Sequence, residues 1–273
     1  NIKIIKLIGD YYYERKQYLE AQVYYYNYLE LEQSDINILK KLLFISIMLN
    51  DVRNIEKMAL KLVNQSPNDI IGYEVLYNLF TNNQQLEEAM GVILKGESYV
   101  DNDRILLLIA QGYGNEKNYT LSTKYYKRYL EKNNQSEFAK YHLAIGLNHI
   151  NDFNGSDSLF LTLIQESENN VFYKNDYAYL LSNRNNIDIE KLKIGLAYAK
   201  DAVKADPSNA AYLDTLGWIY FRLNNYKLAR SYVHKSLSLA PANITILNHL
   251  GDIYKTLGNL SYAERYYNRA LHE

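Results

Sequence analysis

The stretch Leu213–Pro241, LDTLGWIYFRLNNYKLARSYVHKSLSLAP, decides how this chain is read. Its apolar residues recur at helical spacing, yet Gly217 stands in the middle of the first helical segment. Glycine there costs about 1 kcal/mol relative to alanine. Farther on, Leu247–Leu271, LNHLGDIYKTLGNLSYAERYYNRAL, puts Gly251 in the same setting, 34 residues later. Leu216 and Leu250, Tyr220 and Tyr254, and Ala229 and Ala263 keep the same interval. A cost accepted twice at a fixed period points to a close helix contact that recurs, and so to a repeated helical hairpin.

The frame extends back over the whole chain, as 2–35, 36–69, 70–102, 103–136, 137–170, 171–209, 210–243 and 244–273. Its seventh position reads Ile8, Leu42, Leu76, Ile109, Leu143, Tyr177, Leu216 and Leu250. The seventeenth reads Tyr18, Val52, Leu86, Tyr119, Phe153, Leu192, Tyr226 and Leu260. The three prolines, Pro67, Pro207 and Pro241, all fall at position 32, where a second helix has to stop. Leucine at 7, a small residue at 8, an aromatic at 11, alanine at 20 and proline at 32 resemble the tetratricopeptide repeat (TPR) superfamily over nearly the full length. The resemblance implies one all-α domain, 1–273, a right-handed α-solenoid of about eight helix–turn–helix repeats. The small residues at 8 and 20 would let the paired backbones approach. Leu43 and Tyr77 depart from the pattern at position 8, which predicts an altered twist there. The third frame is one residue short. The sixth carries about five extra residues in SNRNNIDIE, expected as a longer turn between its helices.

Composition excludes much else. Lysine plus arginine number 30 against 31 acidic residues, a net charge of −1, so the chain has no basic stripe for nucleic acid. There is no cysteine, and no apolar run near the roughly 18 residues of a membrane span. With Asn1 first and no leader pattern, the chain is expected to be a processed or trimmed product. The five histidines, His142, His149, His234, His249 and His272, form no ligand pair and read as groove or surface residues. No catalytic or phosphate-binding motif occurs, which predicts neither enzyme, cofactor nor metal site.

In TPR proteins positions 2, 5, 9, 12 and 13 of the first helix tend to face a concave groove. The resemblance therefore implies partner-binding residues in the second half of the chain. These are Tyr141, Asn148, His149, Asn175, Tyr179, Asp214, Trp218, Phe221, Arg222, Asn248, Asp252 and Lys255. Aromatic rings supply contact area at low entropic cost and amides can pair with a peptide backbone, so the set suits an extended peptide or protein segment. Trp218, the only tryptophan, has two readings: a binding anchor, or packing between neighbouring first helices. Lys6, Lys40 and Lys41 come nearest to the clamp that some TPR domains use for a C-terminal carboxylate, but Asp10 and Phe44 replace its supporting asparagines. A narrower resemblance, carried by NDYAYLLS, LDTLGW and HLGD, is to a bacterial TPR group with LDSLGW and HLGD repeats. Thr215 departs from that motif. The resemblance implies a bacterial adaptor or scaffold, with the periplasm or envelope favoured over the cytoplasm. The alternative is the substrate-recognition arm of a larger enzyme. The chain is expected to end inside the second helix of its last repeat, with no cap. A homodimer through that repeat, or through the tyrosine-rich YYYERKQYLEAQVYYYNYLE, is a further expectation.

Overall fold

The computed structural model describes residues 1–167 and 170–273; the fifth frame's residues 168 and 169 lie outside the described residues. Among the described residues there are sixteen α-helices and no strand. They form eight pairs: α1 (Ile2–Glu14) with α2 (Tyr18–Leu31), α3 (Ile36–Met48) with α4 (Val52–Gln65), α5 (Ile70–Asn82) with α6 (Leu86–Glu97), and α7 (Arg104–Asn115) with α8 (Tyr119–Lys132). The series continues with α9 (Glu137–His149) and α10 (Phe153–Glu166), α11 (Val171–Asn183) and α12 (Ile189–Ala205), α13 (Ala210–Arg222) and α14 (Tyr226–Leu239), and α15 (Ile244–Thr256) and α16 (Leu260–His272). The chain divides into two compact units, Asn1–Gly146 and Leu147–Glu273. No helix among the described residues is long and apolar enough to cross a membrane.

Local chemistry sets where each helix begins and ends. Asp35, Asp51, Asp69, Asp152, Asn209 and Asn243 stand just before a helix, and their side chains accept hydrogen bonds from its first free N–H groups. Each such cap is worth about 1 kcal/mol. Pro67, Pro207 and Pro241 follow the ends of α4, α12 and α14 by two residues. The turn within each pair has a left-handed residue at its centre: Lys16, Asn50, Gln84, Lys117, Asn151, Asn186, Asn224 and Gly258. Asparagine and glycine, which tolerate that conformation best, hold five of the eight positions.

The extra residues of the sixth frame are not all in its turn. The turn spans 184–188, five residues where the others have three, and α12 takes up the rest, running 17 residues where α14 runs 14. Asp188 starts that longer helix by accepting from the N–H of Glu190. At the other end of the chain, α16 spans 13 residues, close to the 14 of α14, so the last helix is nearly as long as its counterparts.

Within each unit the paired helices meet at position 8. It is buried in every frame: Gly9, Leu43, Tyr77, Ala110, Ala144, Ala178, Gly217 and Gly251. A β-carbon at Gly217 would lie 2.5 Å from Val233 Cγ2 and 3.1 Å from both the Ala229 carbonyl oxygen and the Val233 nitrogen. The opposing surface is therefore α14 backbone as well as side chain. At Gly251 a β-carbon would run instead into the ring of Tyr267. Where Leu43 and Tyr77 fill the position, the pairs α3/α4 and α5/α6 approach less closely than α13/α14.

In the first unit the core is built around Tyr25, Leu39, Leu42, Leu62, Tyr73 and Leu76. The N-terminal tyrosines pack on one another: Tyr12 stacks on Tyr24 at 5.5 Å, and Tyr13 meets Tyr25 at 6.1 Å and Phe44 at 5.9 Å. Tyr26 is half-buried, and burial raises its pKa. In the second unit Ala229, Val233, Leu247 and Leu250 form one cluster, and Ala178, Ala199, Leu216 and Ile219 another.

Two measurements check this packing. Gly217→Ala should destabilise by about 1–3 kcal/mol in urea unfolding, because a carbonyl and an amide nitrogen cannot yield. Gly251→Ala should cost less, since a tyrosine ring can swing away. Burial also pushes the imidazoles of His142 and His234 below the ordinary histidine value, with Arg230 adding to the effect at His234. The unfolded chain takes up those protons near pH ~6.5. The stability tied to the neutral rings is thus present above that pH and lost as pH falls through the folded values. His142→Phe, which keeps the stack on Tyr126 and the tilted contact with Phe138, should flatten the fall in urea midpoint between about pH 7 and about pH 5.

Candidate functional site

In the second unit α11, α13 and α15 are the first helices of successive pairs, and most of the predicted groove residues lie on them. One turn of α13 carries an aromatic slab. Trp218 stacks on His249 with ring centroids 4.0 Å apart and planes 10° from parallel, and on Phe221 at 4.7 Å and 13°. The indole N–H of Trp218 donates to Asn183 Oδ1 at 3.1 Å. Trp218 is half-buried, so one surface is packed against its neighbour helix while the remainder meets solvent. The packing reading of this residue thus has a physical counterpart.

His249 is the residue that sequence reading underrated. It is not a surface group: it is 6% exposed, and its Nδ1 lies 2.9 Å from both carboxylate oxygens of Asp214, itself 5% exposed. The cause is the 35-residue offset between position 5 of one frame and position 6 of the next, which sets the two side chains on facing first helices. That offset was present in the sequence, but only the repeat geometry turns it into a contact.

The other predicted residues separate into distinct roles. Arg222 donates to the carbonyls of Ser182 and Arg184, the latter at 2.9 Å, and so holds the longer turn after α11. Asn148 accepts from Arg184 Nε at 2.7 Å. That buried guanidinium also pairs with Asp157 at 2.7 Å, and Asp157 receives Lys191 at 2.6 Å. Asp252 accepts from the Tyr267 hydroxyl at 2.6 Å, which contributes to raising the phenol to about 12, behind desolvation as the larger cause. His149, Asn248 and Lys255 are exposed. Tyr141 belongs to the first unit, where its ring meets His142 edge-on at 5.1 Å.

Asn175, Tyr179 and Asp214 line a cleft of about 260 Å³ between the N-terminal halves of α11, α13 and α15. Burial raises the pKa of Tyr179. Asn175 is 5% exposed; its amide nitrogen donates to Asp176 at 3.2 Å, and its Oδ1 has no hydrogen-bond partner. Asp176, Thr215 and Thr245 complete the polar lining. The sequence reading did not single these three out: Asp176 and Thr215 lie at position 6, beside a groove position, and Thr245, at groove position 2, was passed over.

In the first unit the three lysines nearest to a carboxylate clamp are engaged with neighbours. Lys6 pairs with Asp35 at 2.7 Å, Lys41 with Asp10 at 2.6 Å, and Lys40 with Asp69. A larger cavity there, about 510 Å³, is lined by uncharged residues, including Tyr77, Gln111, Phe138 and His142. No cluster of three or more His, Asp or Glu side chains among the described residues is placed to hold a metal ion.

Two family models, both described as tetratricopeptide repeat, match residues 210–243 and 244–271. No curated protein matches the chain in sequence. Among solved structures, a tetratricopeptide repeat protein from Parabacteroides merdae ATCC 43184 is similar over 96% of this chain and 98% of its own, at 15% identity and a TM-score of 0.59. A chain of the APC/C hetero-tetramer Cut9–Hcn1 is similar over 97% of this chain and 51% of its own, at 12% identity and a TM-score of 0.62. MamA from Desulfovibrio magneticus RS-1 covers 63% of this chain and 94% of its own, at 17% identity and a TM-score of 0.50. At these identities the likeness is one of fold.

The Asp214–His249 pair gives a stability test. His249→Leu strands a buried carboxylate and should cost about 3–5 kcal/mol, whereas Asp214→Leu/His249→Leu should recover most of it. Urea unfolding of the two singles and the double variant measures the coupling.

Proposed function

From the premise that the chain is a tetratricopeptide-repeat protein, an all-α fold of stacked helix pairs, we propose that it is a non-enzymatic scaffold that binds an extended peptide or protein segment along α11, α13 and α15. The observation that carries this reading is the slab of Trp218, Phe221 and His249. It is a rigid stack with Trp218 half open to solvent, next to a polar cleft lined by amide, hydroxyl and carboxylate groups. Stacked aromatics offer apolar area with little entropy left to lose, and tryptophan is enriched among the residues that dominate binding energy. Amides and hydroxyls beside them match the alternating donors and acceptors of a peptide backbone.

The pinned turn supports the same reading. Arg222 and Asn183 tie the end of α11 to α13, so the binding surface is organised before any partner arrives. Preorganisation lowers the ordering cost of association. The narrower resemblance favours a bacterial adaptor, and the hetero-tetrameric setting of the Cut9–Hcn1 neighbour is in keeping with work in a protein assembly.

The test is selection of peptides from a random display library on the parent chain, followed by titration of the selected peptides against Trp218→Ala and Tyr179→Ala. Each variant is first checked for native helicity. The expected result is binding at least about tenfold weaker, equivalent to about 1.4 kcal/mol, in one or both variants. Selected peptides that bind both folded variants as well as the parent would remove the groove from consideration.

A further inference from the structure

The cavity in the first unit is deeper than a groove. Residues of the first helices α5, α7 and α9 line it, and it reaches past them to Ser122 and Tyr126 of α8, a second helix. An extended segment running over the first helices would leave that depth empty. Its volume, about 510 Å³, falls within the roughly 300–1,000 Å³ of sites that enclose small molecules. Among the described residues no lysine, arginine, aspartate or glutamate lines it. His142 is the lining group whose ordinary value lies nearest neutrality, and burial lowers its pKa, so the ring is neutral there. An ion brought into the cavity would lose water and meet no opposite charge, which costs affinity.

Two sides of the cavity differ. On α9, Phe138 and His142 stand with ring centroids 4.3 Å apart and planes 52° from parallel, and Tyr126 backs His142 at 5.9 Å and 11°. Phe138 is 44% exposed, so much of its ring is open. From α5 and α7 come Asn78, exposed, and Gln111, half-buried, so both side chains can be reached from solvent. Each amide offers donors and an acceptor. A second observation is independent of this chemistry. Gly114, in the last turn of α7, has no positive φ, and a β-carbon there would meet only Ser122 Oγ at 3.4 Å, an ordinary contact. Neither conformation nor packing calls for glycine, in contrast to Gly217. Gly114 lines the cavity, and any side chain there would start from its wall.

We infer that this cavity is a binding site for a small neutral molecule that carries an aromatic ring and an amide-like edge. The ring lies against Phe138 and His142, and the edge exchanges hydrogen bonds with Gln111 and Asn78. Gly114 keeps the space between these two sides clear. The site is separate from the peptide-binding reading given above and stands or falls without it.

Three probes of one shape test it by saturation-transfer NMR and calorimetry: naphthamide, its anionic counterpart naphthoate and its cationic counterpart naphthamidine. The expected outcome is that the amide binds at least about tenfold more tightly than either ion. Gly114→Leu, which fills the cavity and favours the helix, should abolish binding while melting no lower than the parent. Gln111→Leu, which keeps the size and removes the amide, should weaken naphthamide about fivefold. Equal binding of the three probes, binding retained in folded Gly114→Leu, or no binding of naphthamide at all would overturn the site. So would a Gln111→Leu variant that binds naphthamide as the parent does. A Gly114→Leu variant that melts well below the parent would show that packing requires the glycine, and would also count against the site. None of these results bears on the groove of α11, α13 and α15, which is assayed with peptides.

Discussion

Everything in this molecule depends on how closely two helix backbones can approach at one point in each pair. At Gly217 the neighbouring helix presents a carbonyl and an amide nitrogen nearer than a β-carbon readily tolerates. Close approach at that point buries Leu216 and Ile219 of α13 and Val233 of α14, and it sets which side of α13 remains for other work. Each large buried aliphatic contributes roughly 1.5–3 kcal/mol, which outweighs the helix propensity lost to glycine. Residues on the opposite side of the first helix are thereby freed from core duty. That is why Trp218 and Asp214 of α13 can engage the neighbouring first helices, through Asn183 and His249.

Much of the fold was legible because it is written in a period. Apolar residues at position 7, small ones at position 8 and prolines at position 32 report local constraints that repeat, and the sequence carries them even where single frames are degenerate. The left-handed turn residue is a further mark that could have been used. Asn50, Asn151, Asn186, Asn224 and Gly258 show it plainly, whereas Lys16, Gln84 and Lys117 hide it.

The site was legible in part. Placing residues at groove positions required only the frame, but assigning their partners required knowing which frames touch. Arg222 was read as a groove residue, yet its guanidinium is engaged with carbonyls at positions 182 and 184. His249 was read as a groove or surface residue because a lone histidine carries no signature of burial, and its carboxylate partner lies in another repeat. The lengthened sixth repeat was read as a turn, because polar, asparagine-rich sequence looks like loop until Asp188 is seen to cap a helix. In each case the missing information was a contact between repeats, which residue order alone does not contain.

Repeat arrays are commonly treated as beads that contact only their neighbours, so that each unit adds its own increment of stability. The contacts of Trp218 and Arg222 make the sixth and seventh pairs less independent than that. Their bonds to Asn183, Ser182 and Arg184 span 35 to 40 residues, and the Asp214–His249 pair extends the linkage from the seventh pair to the eighth. Opening any one of these three pairs strips polar partners from the next. The last third of the chain is therefore built to melt as a single cooperative block, with a sharper transition than its length alone would give.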